Sequence, residues 1–126
     1  LVARKALDAS ALDLSHPLHA WLQSIRSRMV PQTSLWWFRT CETFGRAEGH
    51  EFARRWTRFF NCRAAGHTYV IGPFQSGLHS LSPGQEPTWP LTEGLRDDPT
   101  APMARWSAPG APNTITCFHG HIPRGY

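Results

Sequence analysis

The sequence predicts a mainly α fold: a small helical bundle or helical hairpin over about residues 15–65, followed by a long irregular Pro/Gly-rich extension with at most two short β-strands. Two observations point there. Apolar residues recur at three- and four-residue steps in the first half. Nine of the eleven prolines and seven of the ten glycines fall in residues 71–126, where fixed φ angles and missing amide donors interrupt regular elements. At 126 residues the chain has the size of one domain. Its organisation reads as an N-terminal arm (1–14), a helical part (15–70) and an extended partner-binding tail (71–126).

The first predicted helix starts near Ser15, whose hydroxyl can cap the open amides of the first turn while Pro17 sits where no donor is required. Leu18, Trp21, Leu22, Ile25 and Met29 then share a face. Pro31 ends the run because its ring disfavours helix at the preceding residue, and Arg26 and Arg28 complement the carbonyl end. A second helix is expected from Thr33 or Ser34 to about Phe44, with Trp37, Cys41 and Phe44 on one stripe and Trp36 and Phe38 widening it. A third, about His50 to Ala65, aligns Phe52, Trp56, Phe59 and Phe60, with Gly66 placed for a left-handed cap.

In the tail, His67–Ile71 and Asn113–Phe118 are the two candidate strands. The intervening Ser82-Pro83-Gly84, Glu86-Pro87, Trp89-Pro90, Asp98-Pro99, Ala101-Pro102 and Ala108-Pro109-Gly110 are turn or extended dipeptides. Yet Phe74, Leu78, Leu81, Trp89, Leu91, Leu95, Met103 and Trp106 are not the residues of a solvated linker, since disordered segments are poor in tryptophan and rich in charge. The tail therefore reads as a ribbon with apolar anchors laid along a partner's surface, and as protease-sensitive in the isolated chain.

Charge divides along the same line. Up to residue 70 there are ten basic and five acidic residues; beyond it, three basic and four acidic. Twelve of the thirteen basic residues are arginine, which suits bidentate contact with phosphate or carboxylate. Arg54, Arg55, Arg58 and Arg63 lie beside aromatic residues on the third predicted helix. Such interleaving can bind nucleic acid by phosphate contact and stacking, rest a helix on anionic lipid head groups, or form a solvated face whose arginine stems cover apolar surface. Trp36, Trp37, Trp56, Trp89 and Trp106 complete the set of candidate partner- or lipid-binding residues.

Candidate chemistry is sparse. Cys117, His119 and His121 alternate as Cys-x-His-x-His, and thiolate and imidazole are zinc ligands, with Cys62 or His67 as a possible fourth; the spacing matches no common finger or ribbon. His16 and His19 form a partial ligand pair, or two surface histidines near a helix start. Glu48, His50 and Glu51 invite acid/base work only if they meet at a substrate. Glycine-rich phosphate loops, Gly-x-Ser-x-Gly elbows and His-Glu-x-x-His helices do not occur. Three scattered cysteines make no disulfide framework. No stretch approaches the roughly 18–20 apolar residues of a membrane-spanning helix.

The chain opens on Leu1, as a processed product or a piece of a longer chain would. Leu1-Val2-Ala3-Arg4-Lys5-Ala6-Leu7 is basic, as the end of an organellar transit peptide would be. The resulting expectation is a non-catalytic accessory subunit of a large organellar assembly: a mitochondrial respiratory or ATP synthase membrane complex, peripheral at the inner membrane and bound to other subunits. The first alternative is a mitoribosomal structural protein whose arginines meet rRNA phosphates. The second is a small zinc-binding module or enzyme built on Cys117, His119 and His121.

Overall fold

A computed structural model describes residues 19–28, 34–96, 103–118, 120–123 and 126. Two helices and five strands occur among them: α1 (His19–Arg28), β1 (Leu35–Trp37), α2 (Arg46–Phe60), β2 (Arg63–His67), β3 (Phe74–Gln75), β4 (Leu78–Leu81) and β5 (Ile115–Thr116). The fold is a mixed α/β one, which overturns the expected mainly α bundle.

The correction begins at Leu35-Trp36-Trp37-Phe38. Aromatic crowding there can be read as a wide helical stripe, but the side chains alternate. Trp36 and Phe38 turn to the core, where Trp36 meets Trp56 and Phe60 and Phe38 meets Phe52 and Trp56. Trp37 takes the other face, against His67. That is a period of two, and β1 pairs in parallel with β2 through Leu35↔Arg63, Trp36↔Ala64 and Trp37↔Ala65. Positive φ at Glu42 (58°) and at Arg46 (62°), the residue that opens α2, breaks the chain between this segment and the helix. β1, α2 and β2 thus form a βαβ unit, the crossover that parallel strands require.

α2 is the third predicted helix displaced toward the N-terminus. It buries Phe52, Ala53, Trp56 and Phe60 on one stripe, with Gly49, His50 and Thr57 beside them. It stops at Asn61, which adopts the left-handed conformation (φ 49°, ψ 46°) and donates its N–H to the Thr57 carbonyl, so Gly66 is not the cap. Arg63–His67, rich in helix-forming alanine, is instead the central strand of the order β1-β2-β4; pairing on both edges overrides propensity. Gly66 sits within that strand because the Phe44 ring fills the place of a side chain: a Cβ there would lie 2.6 Å from Phe44 Cδ1.

The second half is not an irregular extension. β4 runs antiparallel to β2, with Ala64↔Leu81 and His67↔Leu78 in register, so the sheet joins residues on both sides of position 71. β3 and β5 form a second, two-stranded antiparallel sheet through Phe74↔Thr116 and Gln75↔Ile115. Of the two predicted tail strands, His67–Ile71 shares only its first residue with β2, and Asn113–Phe118 contains β5. Leu78, Leu81, Trp89 and Ile115 are buried, against the chain's own core rather than a partner. α1 is helical over His19–Arg28 as expected, burying Leu22 and resting Ile25 on the core, but Trp21, expected on the same face, is 58% exposed while His19 is buried; its predicted start near Ser15 and its Met29 and Pro31 boundary lie outside the described residues.

Candidate functional site

A grouping of titratable side chains surrounds Trp89, where the 82–95 segment returns across α2 and the sheet. Trp89 Nε1 donates to the Phe44 carbonyl at 2.8 Å. Its ring stacks with Phe44 (5.5 Å between centroids) and with His79 of β4 (4.7 Å), and His50 of α2 meets it edge-on at 5.1 Å. His79 Nε2 lies 2.5 Å from Glu93 Oε2, which also accepts from Thr68 Oγ1 at 2.8 Å. Burial pushes the Glu93 carboxyl upward, but the hydrogen bonds from His79 and Thr68 outweigh it and hold the group below the usual carboxylate range.

His50 is held below the ordinary histidine value by burial first, then by Arg54 and His79, against the opposing pull of the Trp89 carbonyl and Glu86. Among the described residues its Nε2 has no hydrogen-bond partner. A second buried imidazole lies one layer away. Trp37 Nε1, a donor only, points at His67 Nε2 at 3.3 Å, so His67 Nδ1 carries the proton and donates to the Ser76 carbonyl at 3.1 Å. Burial, with smaller contributions from Arg39 and His79, lowers this group to about 4, so it is neutral at pH 7. Arg39 lies over the Trp37 ring at 4.2 Å and donates to Gln75 Oε1 and the Cys117 carbonyl, tying β1 to the second sheet.

These groups make a framework rather than a reaction centre. A carboxylate–imidazole pair can orient a general base, but among the described residues no hydroxyl or thiol hydrogen-bonds to His79. The adjoining groove of about 310 Å³ is lined by Ser80, Leu81, Gln85, Glu86, Thr88 and Trp89. Its one carboxylate, Glu86, accepts from Arg54 Nε at 2.7 Å. The Cys62 thiol is buried and pushed upward by burial, away from nucleophilic thiolate.

The sequence-derived candidates are dispersed. Trp36, Trp56 and Trp89 belong to the main core, Trp36 only partly buried; Trp37 lies on the opposite face of the sheet, and Trp106 is 67% exposed. On α2, Arg54 bridges Glu86 and Glu51, Arg55 is half-buried and Arg58 points to solvent. Arg63 opens β2 and donates to Ser80 Oγ at 3.1 Å. Cys117 and His121 are exposed, and His119 and His16 lie outside the described residues. Among the described residues no three His, Cys, Asp or Glu side chains gather as a metal site would require. His19 is buried against Phe59. Glu48 and Glu51 are exposed while His50 is buried, so that trio does not converge.

Sequence reasoning missed His79 and Glu93 entirely. They are fourteen residues apart and bear no motif; only the β2–β4 register and the turn that places Glu93 near Thr68 bring them together. The chain matches no family model, no curated protein and no solved structure.

Proposed function

We propose that this chain is a non-catalytic accessory subunit of a larger assembly, of the organellar respiratory or ATP-synthesising membrane kind, docked to neighbouring subunits through apolar side chains that its own core leaves outside. The observation that carries this is the contrast between a full core and several exposed large residues. Trp56 and Phe44 are wholly buried, whereas Trp21 (58%), Leu91 (51%), Met103 (56%), Trp106 (67%) and Phe118 (91%) face solvent. Single exposed apolar residues are ordinary on protein surfaces, but tryptophan and methionine are enriched where proteins meet. Four of these five lie beyond residue 71, so the partner-binding role first expected of the whole tail is assigned to its outward residues. The mitochondrial, inner-membrane-peripheral address rests on the basic opening Leu1–Leu7 alone.

The rRNA reading receives less support because arginines it relies on are engaged within the chain, Arg54 by Glu86 and Glu51 and Arg63 by Ser80. Gentle purification of the native protein, with sizing and mass spectrometry of everything that accompanies it, tests the proposal. A fixed set of protein subunits retained through moderate salt supports it. RNA that dissociates steeply as salt rises would support the ribosomal alternative, and elution as a lone monomer would contradict both.

A further inference from the structure

We propose that residues 82–92 form an acid-sensitive strap: protonation of His50 releases Trp89 from its seat against Phe44 and lifts the segment from α2. This goes beyond the docking role and does not depend on it.

The geometry is that of a hinged segment pinned in the middle. Among the described residues, the backbone hydrogen bonds made within 82–93 are local, Gln85 N to Ser82 O and Glu93 N to Pro90 O. Pro83, Pro87 and Pro90 remove further donors. Beyond this stretch the chain is tied again, through the Arg105 N–H to the Gly94 carbonyl at 2.6 Å, and before it by β4. Side chains therefore hold the strap: Trp89 on Phe44, His79 and His50; Glu93 on His79 and Thr68; Glu86 on Arg54.

His50 is the weak pin under acid. From its own helix it faces Arg54; from the strap it faces Glu86 and the Trp89 carbonyl; from β4 it faces His79. A proton on Nε2 would meet no acceptor among the described residues, and the one carboxylate within influence, Glu86, is already held by Arg54. The Trp89 carbonyl alone favours the charged ring directly, and burial with Arg54 outweighs it, so a proton on His50 favours the state in which water reaches the ring. The far end of the strap is held differently, by the Glu93 carboxylate hydrogen-bonded to both His79 Nε2 and Thr68 Oγ1. Release is therefore centred on Trp89, while Glu93 stays attached. His67, lowered to about 4, protonates only at more acidic pH and does not trigger the event.

The test uses the full chain labelled with 5-fluorotryptophan and followed by fluorine NMR from pH 7.5 to 5. The Trp89 resonance is assigned by its loss in Trp89→Phe, and exposure is read from the H2O-to-D2O solvent shift. A buried Trp89 that gains the full solvent shift below pH 6.5, while Trp56 keeps its buried value and Trp36 its partial one, is the expected result. His50→Gln is expected to abolish the change. Should that variant not fold, the imidazole titration of His50 in the wild-type chain must share the midpoint of the Trp89 transition. A Trp89 that stays buried to pH 5, a common midpoint for Trp89, Trp36 and Trp56, or mismatched His50 and Trp89 midpoints would overturn the proposal.

Discussion

Phe44 is the side chain on which the most constraints meet. It is fully buried, stacks on Trp89 and closes on two glycines: a Cβ at Gly49 would lie 2.2 Å from the Phe44 carbonyl carbon, and one at Gly66 2.6 Å from the ring. Gly66→Ala is therefore expected to destabilise the fold by about 1–3 kcal/mol through overpacking, and Gly49→Ala by more, because it meets backbone that cannot step aside. Gly72→Ala, with nothing within 4 Å, should change stability by less than about 0.5 kcal/mol; urea midpoints compare the three. His67 gives a second expectation. Its folded value lies below the unfolded 6.5, at about 4, so the folded state binds fewer protons in that interval. Its contribution is complete above about pH 6.5 and is lost as pH falls toward 4, a change of roughly 3 kcal/mol. His50, also lowered, works in the same direction, and Glu93 adds its own loss as pH falls below its unfolded 4.5. Urea unfolding at pH 7 and pH 4.5 should show the drop, and equal midpoints would contradict it.

Among the elements, α2 and α1 were legible and the sheet was not. The stripe of Phe52, Trp56 and Phe60 at helical spacing needs no tertiary context to be seen, and truncating its fully buried member, Trp56→Ala, is expected to cost about 3–5 kcal/mol. The strands were hidden for separate reasons. Leu35–Trp37 has three residues, too few for a period of two to stand out against four consecutive large apolar residues. Arg63–His67 carries alanines and a glycine, small residues buried on both faces of the sheet with Gly66 under Phe44, rather than residues of high strand propensity. β3 and β5 have two residues each, below what any periodicity can register. The Trp89 site was illegible for a related cause, since His50 of α2, Thr68 after β2, His79 of β4 and Glu93 of a turn meet only in the folded chain. At Asn61, the observed left-handed cap predicts that Asn61→Gly is tolerated while Asn61→Val is destabilising by about 1–2 kcal/mol, measurable by thermal unfolding.

On the scale of the whole molecule, the halves that composition separates are one folded body where they are described. Removing residues after Ile71 would strip β4 from the sheet and Trp89 from Phe44, so a 1–71 fragment is expected to lack cooperative unfolding. The described parts of the second half should resist protease in the isolated chain, the reverse of what proline and glycine content suggests. What composition does reveal is the outward character of that half. Most of its prolines fall in turns and connections, and the side chains displayed between them include Leu91, Met103, Trp106 and Phe118. The measurement that bears most directly on the accessory-subunit account is co-purification of a Met103→Ser/Trp106→Ser variant from its native source, beside its melting temperature. The account predicts that the accompanying subunits are lost while the melting temperature stays within about 2 °C of wild type. Undiminished co-purification, or a wild-type protein that has no companions to lose, would contradict it.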